Sequence, residues 1–477
     1  MKRKFASLKT ASSNELIVGV GFFIFSLLLF FLINREKLIY ILIAILAVLV
    51  LAWAQFDVKR WVYLSFLFIP LSPSLPLYKV KLPVSIEFSD IIVWLTILAF
   101  IFNYALGRFR EKEWDVYLMI PFGIFFFVSA VFSLLSYYRH YQIFLILNGF
   151  GHLFKWISYF ALYFIIHKTF TKAKDIISLL RFILLAFFLG SLIAIIRYFS
   201  LTKGALVLYR VGGLFEGINS YAVVLAILLI FYYNLILQGQ AQRIFPLPLV
   251  VIFLSFILFS LVLTFSRTGW ITLWLFVIFL TFFRGRRTLG IGLIFLSALT
   301  FYLMRNPVQR RIEMTIENPA SEEIPVDLGE RDKIWKTTLK KIRRHPFSGV
   351  GFLNFSQSVL ATTPHNQYLA LIAELSIFGF FAFIYLIYRL LRAIYFLYRV
   401  QPAGFFKDIS FGAGLVLLAL IFASFAGEFF YSSPILAVFL GLFASARVGY
   451  DIVNEMVLTQ KRSLILLRTP YQIYQGR

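Results

Sequence analysis

The chain has 477 residues, of which 61% are hydrophobic and 14% are charged, whereas a soluble domain has about 25% charged residues. This composition excludes an ordinary soluble domain and favours a protein with many membrane spans. The chain contains no cysteine, which excludes disulfides, thiolate catalysis and zinc-thiolate sites. The formal net charge of +24 fits the lysine and arginine excess of cytoplasmic loops, and we favour this explanation over nucleic-acid binding.

Apolar blocks of about 15–24 residues recur along the chain, and most are long enough to cross a hydrocarbon core roughly 30 Å thick. The blocks are continuous rather than alternating, so we expect an all-α, polytopic membrane helical bundle. The third block is short and contains three prolines, which predicts a kinked or re-entrant segment. In chain order, about fourteen spans are predicted, at 16–34, 38–55, 61–76, 88–106, 115–136, 150–167, 175–199, 219–237, 246–265, 268–283, 288–304, 365–388, 408–426 and 433–447.

Positive charge orients these spans. If the N-terminus is cytoplasmic, the connections on that side carry many lysines and arginines, and the short connections on the other side carry few. This asymmetry predicts that both termini are cytoplasmic. We therefore expect one integral membrane domain over 1–477, a helical periplasmic loop inserted at 305–364 and a cytoplasmic C-terminal tail at 448–477.

The loop at 305–364 carries ten lysines or arginines although it lies outside in this topology, which long loops tolerate. Its second half predicts an amphipathic helix that begins near Asp327 or Gly329 and ends at His345-Pro346. Arg331 lies on the apolar side of this helix, one turn before Trp335. The predicted apolar face consists of Trp335, Thr338, Leu339 and Ile342, and the charged face of Lys333, Lys336, Lys340 and Arg344.

Arginines near the predicted outer boundary are candidates for binding an anion. Arg267, within Ser266-Arg267-Thr268-Gly269-Trp270, is either a snorkelling anchor beside an aromatic-belt tryptophan or a guanidinium fork for a phosphate. Arg331 points back toward the bundle, although most basic residues of such a loop are solvated. Arg210 precedes two glycines, which allow either close backbone approach to a ligand or an ordinary tight turn.

His365, within Pro364-His365-Asn366-Gln367-Tyr368-Leu369, is the candidate general base. It is predicted to open the twelfth span, where it is either an ordinary interfacial residue or a base. A helix N-terminus disfavours the imidazolium and favours a bound diphosphate, so a neutral imidazole at pH 7 is expected. Asn366 and Tyr368 are its candidate supporting residues.

Acidic residues do not form a metal-binding pattern. Glu374 is a single acid inside the twelfth span, and a structural ion pair with Lys155, Arg181 or Arg197 is its expected role, beside a supporting role at the site. The chain has no DxD-type pair, no HExxH and no Walker A sequence. We therefore expect no metal site, no cofactor and no nucleotide-driven transport.

Several of these motifs, in this order, resemble the bacterial O-antigen ligase and O-antigen polymerase family of membrane glycosyltransferases. The resemblance covers about residues 205–385, and the flanking spans agree only in general character. It is carried by the Arg210-to-Asn219 stretch, Ser266-Arg267-Thr268-Gly269-Trp270, the helix from Arg331, His345-Pro346-Phe347-Ser348-Gly349-Val350-Gly351, Pro364-His365-Asn366-Gln367-Tyr368-Leu369, Glu374 and Gly379.

The resemblance implies a lipid-sugar glycosyltransferase fold of the GT-C-like class in the bacterial inner membrane, with its active site facing the periplasm. The implied partners are a polyprenyl-diphosphate-linked glycan donor, a lipid- or glycan-linked acceptor and membrane lipids. By the same resemblance, Arg267 and Arg331 hold the diphosphate, with Arg210 near them, and His365 activates the acceptor hydroxyl without a metal. The chain departs from the family in its span count, about fourteen against about twelve for the ligases.

Ligase and polymerase are both compatible with the motifs. We favour an O-antigen ligase acting on lipid A-core, because the chain has one large outside loop where polymerases often have two. A flippase or other transporter of lipid-linked oligosaccharides is an alternative of another class, but no repeated halves are evident. A third alternative, a non-catalytic membrane scaffold, predicts that His365 is replaceable.

Overall fold

The structure is a computed structural model that describes residues 57–72, 85–109, 113–140, 143–203, 209–214, 217–285, 328–359 and 362–473, with isolated positions between 291 and 302. These ranges contain helices and turns and no β-strand, which confirms the expected all-α fold. Four predicted regions lie outside the described residues. They are the spans 16–34 and 38–55, nearly all of the span 288–304, and the first half of the loop 305–364.

Helices of the described ranges are α1 Val58–Phe68, α2 Phe88–Ala105, α3 Val116–His140, α4 Ile143–Thr169, α5 Ala173–Leu201, α6 Ile218–Leu237, α7 Leu247–Leu263, α8 Arg267–Phe283, α9 Leu328–Arg344, α10 Phe355–Ser358, α11 Gln367–Val400, α12 Phe405–Ala423 and α13 Ser433–Ile473. Short 3-10 turns occupy Ile69–Leu71, Ala241–Arg243 and Phe429–Tyr431.

Eight of the described helices, α2 to α6 and α11 to α13, are long and apolar enough to cross a membrane. The apolar helices α7 and α8 have 17 residues each, which corresponds to about 26 Å at 1.5 Å per residue. The chain is therefore a multi-pass membrane protein. The total of fourteen spans stays a prediction.

Helix α6 occupies the centre of the bundle and packs against α7, α8, α12 and α13. Nearly all of its residues from Tyr221 to Leu237 are buried. A helix that is apolar on every side is expected where neighbours surround it completely. This position brings the first turn of α6, with Asn219, beside the start of α8 at Arg267.

Several predicted spans differ in length from their helices, the third and the fourteenth among them. The third span is a short helix, α1, which stops at Phe68 and continues as a 3-10 turn that contains Pro70. Proline lacks the backbone donor that a continuing helix requires. The fourteenth span, predicted to end at 447, continues in α13 to Ile473, so much of the predicted tail at 448–477 is helical, and its cytoplasmic location stays a prediction.

Helix α11 is broken at Ser376, whose φ is 61° and ψ is −175°. The loop after α9 replaces the helical hydrogen bonds that the break removes. Val350 N–H donates to the carbonyl of Ala373 at 3.3 Å and Gly351 N–H to that of Glu374 at 2.9 Å. Ile377 N–H donates in turn to the carbonyl of Pro346 at 3.1 Å. The predicted helix end at His345-Pro346 is confirmed, and the segment after it anchors α9 to α11.

Candidate functional site

Polar contacts around Asn219 hold the start of α8 in place. Ser266 is the N-cap of α8, and its hydroxyl donates to the Asn219 side-chain oxygen at 3.0 Å. Arg210 Nη2 donates to the same oxygen at 2.8 Å, and its Nε donates to the carbonyl of Thr264 at 3.2 Å. The segment around Arg210 is thus tied to the turn that presents Arg267.

Gly269 and Trp270 pack α8 into the bundle. A Cβ on Gly269 would lie 2.8 Å from the Cβ of Ala222, so only glycine allows this approach of α8 to α6. Trp270 is buried, and its indole nitrogen donates to the carbonyl of Leu261 at 3.2 Å. Trp270 is therefore a core residue here, and the aromatic-belt interpretation is wrong.

A cleft of about 460 Å³ lies at this end of the bundle. The three arginines predicted from sequence, Arg210, Arg267 and Arg331, all line it. Apolar side chains complete its wall. The lining residues are Arg210, Asn219, Phe265, Arg267, Thr268, Ile271, Arg331, Phe422, Ala423, Phe425 and Ala426.

Arg331 reaches the cleft from the first turns of α9. It is partly buried, and its side-chain Nε has no hydrogen-bond partner among the described residues. Burial and the positive charge of Arg267 both lower the pKa of Arg331, and Glu428 opposes this shift. Arg267 and Arg331 are thus near enough for their positive charges to repel each other, and this repulsion favours an anion between the two guanidinium groups.

The predicted inward face of α9 is largely confirmed. Thr338 is buried, and Trp335 Nε1 donates to the carbonyl of Pro364 at 2.8 Å, which joins α9 to the segment that carries His365. Leu339, predicted on the apolar face, is 40% exposed. A helix of 3.6 residues per turn places it beside that face rather than on it.

His365 precedes α11 rather than opening it. The N-cap of α11 is Asn366, and His365 has a φ of 51°, in the left-handed region that few non-glycine residues adopt. The predicted helical position is therefore wrong by two residues. Burial lowers the pKa of His365, and the charge of Arg331 lowers it further. The imidazole is accordingly neutral at pH 7, although for reasons other than the helix terminus proposed from sequence.

Asn366 and Tyr368 hold the start of α11 against the end of α12. The Asn366 side-chain oxygen accepts from the backbone N–H groups of Tyr368 and Leu369, and its side-chain nitrogen donates to the carbonyl of Phe425 at 3.1 Å. Tyr368 Oη donates to the carbonyl of Ile421 at 2.8 Å. These contacts support the geometry of the His365 segment.

Glu374 does not form the ion pair expected from sequence. Its carboxylate accepts from Tyr431 Oη at 2.9 Å and from the backbone N–H of Phe355 at 3.4 Å. The three cations expected to pair with it bind elsewhere. Lys155 contacts Asp90 and Glu87, Arg181 donates to the carbonyl of Ile244, and Arg197 donates to the carbonyl of Gly213.

Glu428, which sequence analysis did not select, lies beside the His365 segment. Its carboxylate accepts from the backbone N–H of Asn366 at 3.2 Å and from the hydroxyl of Thr363 at 3.2 Å. The one signal in the sequence is an acid in the short connection between the last two predicted spans. Such a residue is indistinguishable there from an ordinary interfacial loop residue.

Metal independence stays a prediction. In the part of the chain that the structure describes, no group of three or more histidine, aspartate or glutamate side chains is arranged to hold a metal ion.

Comparison with known proteins supports the family suggested by the motifs. A protein-family model described as O-Antigen ligase matches residues 250–384, a segment that contains Arg267, Arg331, His365 and Glu374. Over this segment, the chain is similar to the O-antigen ligase family. No curated protein matches the chain. The family match indicates a ligase- or polymerase-like membrane enzyme that acts on glycans.

Proposed function

We propose that this protein is a member of the O-antigen ligase family and moves a glycan from a polyprenyl-diphosphate donor to an acceptor hydroxyl at the periplasmic face of the bacterial inner membrane. The observation that carries the proposal is the convergence of Arg210, Arg267 and Arg331 on one cleft, with His365 close enough to Arg331 for its pKa to be lowered. We further propose that the acceptor is lipid A-core, which makes the protein an O-antigen ligase.

The arginines suit a diphosphate leaving group. A guanidinium presents planar, paired N–H donors to phosphate oxygens, and it keeps its charge even when partly desolvated. Because Arg267 and Arg331 repel each other, a diphosphate between them relieves the repulsion. As the bond to the sugar breaks, negative charge grows on the diphosphate, and fixed cations stabilise the transition state more than the ground state.

The remaining wall of the cleft suits the lipid. Phe265, Ile271, Phe422 and Phe425 line it, and Ile271, Phe422 and Phe425 are also exposed at the surface. An apolar wall that continues to a lipid-facing surface is compatible with a prenyl chain. The cleft would then bind the diphosphate at its arginines and leave the chain in the membrane.

His365 is the proposed base. The acceptor oxygen forms a bond to the anomeric carbon while the bond from that carbon to the diphosphate oxygen breaks, and the leaving diphosphate takes the electron pair. The acceptor proton passes to the neutral imidazole of His365. A positioned base of this kind contributes about 10²–10⁴-fold to rate. A single displacement inverts the configuration of the anomeric carbon.

The proposed test uses purified full-length protein in lipid nanodiscs, with a polyprenyl-diphosphate glycan and either lipid A-core or a second lipid-linked glycan as acceptor. Release of polyprenyl diphosphate with glycosylated lipid A-core supports the ligase. Chain extension of the lipid-linked glycan instead supports the alternative, an O-antigen polymerase of the same family. Release of neither product, with donor crossing the bilayer of proteoliposomes, would favour a transporter.

A further inference from the structure

Two hydrogen-bond donors of the short segment 363–366 converge on one carboxylate, that of Glu428. Oε1 accepts from the backbone N–H of Asn366 and Oε2 accepts from the hydroxyl of Thr363, each at 3.2 Å. A carboxylate is the side chain that accepts several such bonds at once. Glu428 therefore fixes the backbone on both sides of the His365 side chain.

His365 needs such a restraint because of its backbone conformation. A non-glycine residue with φ near +51° is strained by about 1 kcal/mol or more and persists only where its surroundings enforce it. Trp335 holds the carbonyl of Pro364, and Asn366 caps α11. Glu428 adds contacts to Thr363 and Asn366, which lie on either side of the strained residue.

Glu428 also provides a negative charge in a site that is otherwise cationic. Its charge acts on Arg331 and opposes the effects of burial and of Arg267. Burial raises the pKa of Glu428, and the hydrogen bonds from Asn366 and Thr363 oppose this shift in part. Donors that all point at the carboxylate favour its ionised form.

We propose that Glu428 is a positioning residue, whose carboxylate holds His365 in its left-handed conformation and balances the charge of Arg331, so that base and guanidinium keep a fixed separation. This inference rests on the proposed transfer reaction. Glu428 contacts residues on either side of the base rather than the reacting atoms. A displacement of the base by about 1 Å lowers the rate of a proton transfer by about 100-fold.

The first measurement does not depend on transfer activity. Acylation of His365 by diethylpyrocarbonate, followed by mass spectrometry across a pH series, gives the pKa of the imidazole. In Glu428→Gln we expect this pKa to fall, because an anion is lost while Arg331 remains. Glu428→Asp keeps the charge, so its His365 should titrate as in the unmodified protein. Asp408→Asn, which removes a carboxylate paired with Arg284 at 3.8 Å in another part of the bundle, should leave the titration unchanged.

The second measurement separates positioning from a general loss of structure. Glu428→Gln and Glu428→Asp should each lower kcat by about 10- to 100-fold, while the Kd for the polyprenyl-diphosphate donor stays within about threefold. Unchanged titration and unchanged kcat in Glu428→Gln overturn the proposal. If Glu428→Gln does not fold, full activity in Glu428→Asp overturns it instead. If the unmodified protein transfers no glycan, the proposed function fails, and the acylation series still decides whether Glu428 acts on His365.

Discussion

Trp335 donates a hydrogen bond from its indole nitrogen to the carbonyl of Pro364, at 2.8 Å. This contact joins α9, which presents Arg331, to the residue directly before His365. The proposed anion-binding group and the proposed base are thus coupled through a single side chain. The helix of the large loop therefore acts as a structural part of the site.

Trp335→Phe should lower kcat by about tenfold, since the ring still packs while the hydrogen bond to Pro364 is lost and α9 shifts relative to His365. Transfer by purified protein with a polyprenyl-diphosphate donor measures the effect. Leu339→Ala, on the exposed side of the same helix, is the matched control and should retain full activity. Equal losses in both variants would show that α9 tolerates no change at all, contrary to the proposed role of Trp335.

Arg267→Ala and Arg331→Ala should abolish transfer without loss of folded protein, because each removes a guanidinium that lines the cleft. Lysine at either position should restore activity only in part, since an ammonium lacks the planar pair of donors. The exposed residues Lys340 and Arg344 of α9 are controls. Alanine at either position should lower transfer activity only slightly. Comparable losses at the controls would refute the assignment by helix face.

Gly349→Ala should destabilise the protein, because a Cβ at this position would clash with the carbonyl oxygen of Glu374, where α11 is broken. The loop could then no longer form the hydrogen bonds that replace those lost at the break in α11. We expect a fall in Tm of several degrees, measured by thermal unfolding in detergent. Gly123→Ala is the control, because a Cβ there meets nothing within 4 Å and alanine favours a helix. An unchanged Tm in Gly349→Ala would contradict the proposed anchoring.

The pH dependence of transfer should reflect a histidine whose pKa lies below 6.5, since burial and Arg331 both lower it. The base is active when neutral, so kcat should be constant around pH 7 and fall only as the pH drops through the lowered pKa. A fall in kcat that begins above pH 6.5 would mean that the pKa of His365 is raised, contrary to this prediction. Arg331→Gln removes the neighbouring charge and should raise the pKa of His365, measured by the diethylpyrocarbonate acylation series, which needs no transfer activity.

Sequence patterns predicted Arg210, Arg267 and His365 because each stands in a short motif beside an apolar span, and they predicted Arg331 from its face of an amphipathic loop helix. Arg210, Arg267 and Arg331 meet in one cleft although they are distant along the chain. Glu428 was missed because it lies about sixty residues beyond His365 in a connection with no motif. Its role depends on how α11 and α12 pack, and span patterns do not specify that packing.

Two other features could not be predicted from the sequence, for physical reasons. An acid within a span needs a partner, but its depth in the membrane does not identify which helix supplies it, and Glu374 binds Tyr431 rather than a cation. The break at Ser376 has no proline or glycine at its centre. It is stabilised by hydrogen bonds from residues 346–351, a segment that a local pattern around Ser376 does not include.

The most direct test of the central claim is single-turnover transfer by His365→Ala with bound donor. We predict that this variant binds the polyprenyl-diphosphate glycan normally but transfers none of it. His345→Ala, which changes the histidine at the end of α9, should keep substantial activity, and the unmodified protein should stay active in excess EDTA. Retained turnover in His365→Ala would remove the base from the mechanism, and a loss of turnover in EDTA that magnesium or manganese restores would show that the reaction needs a metal.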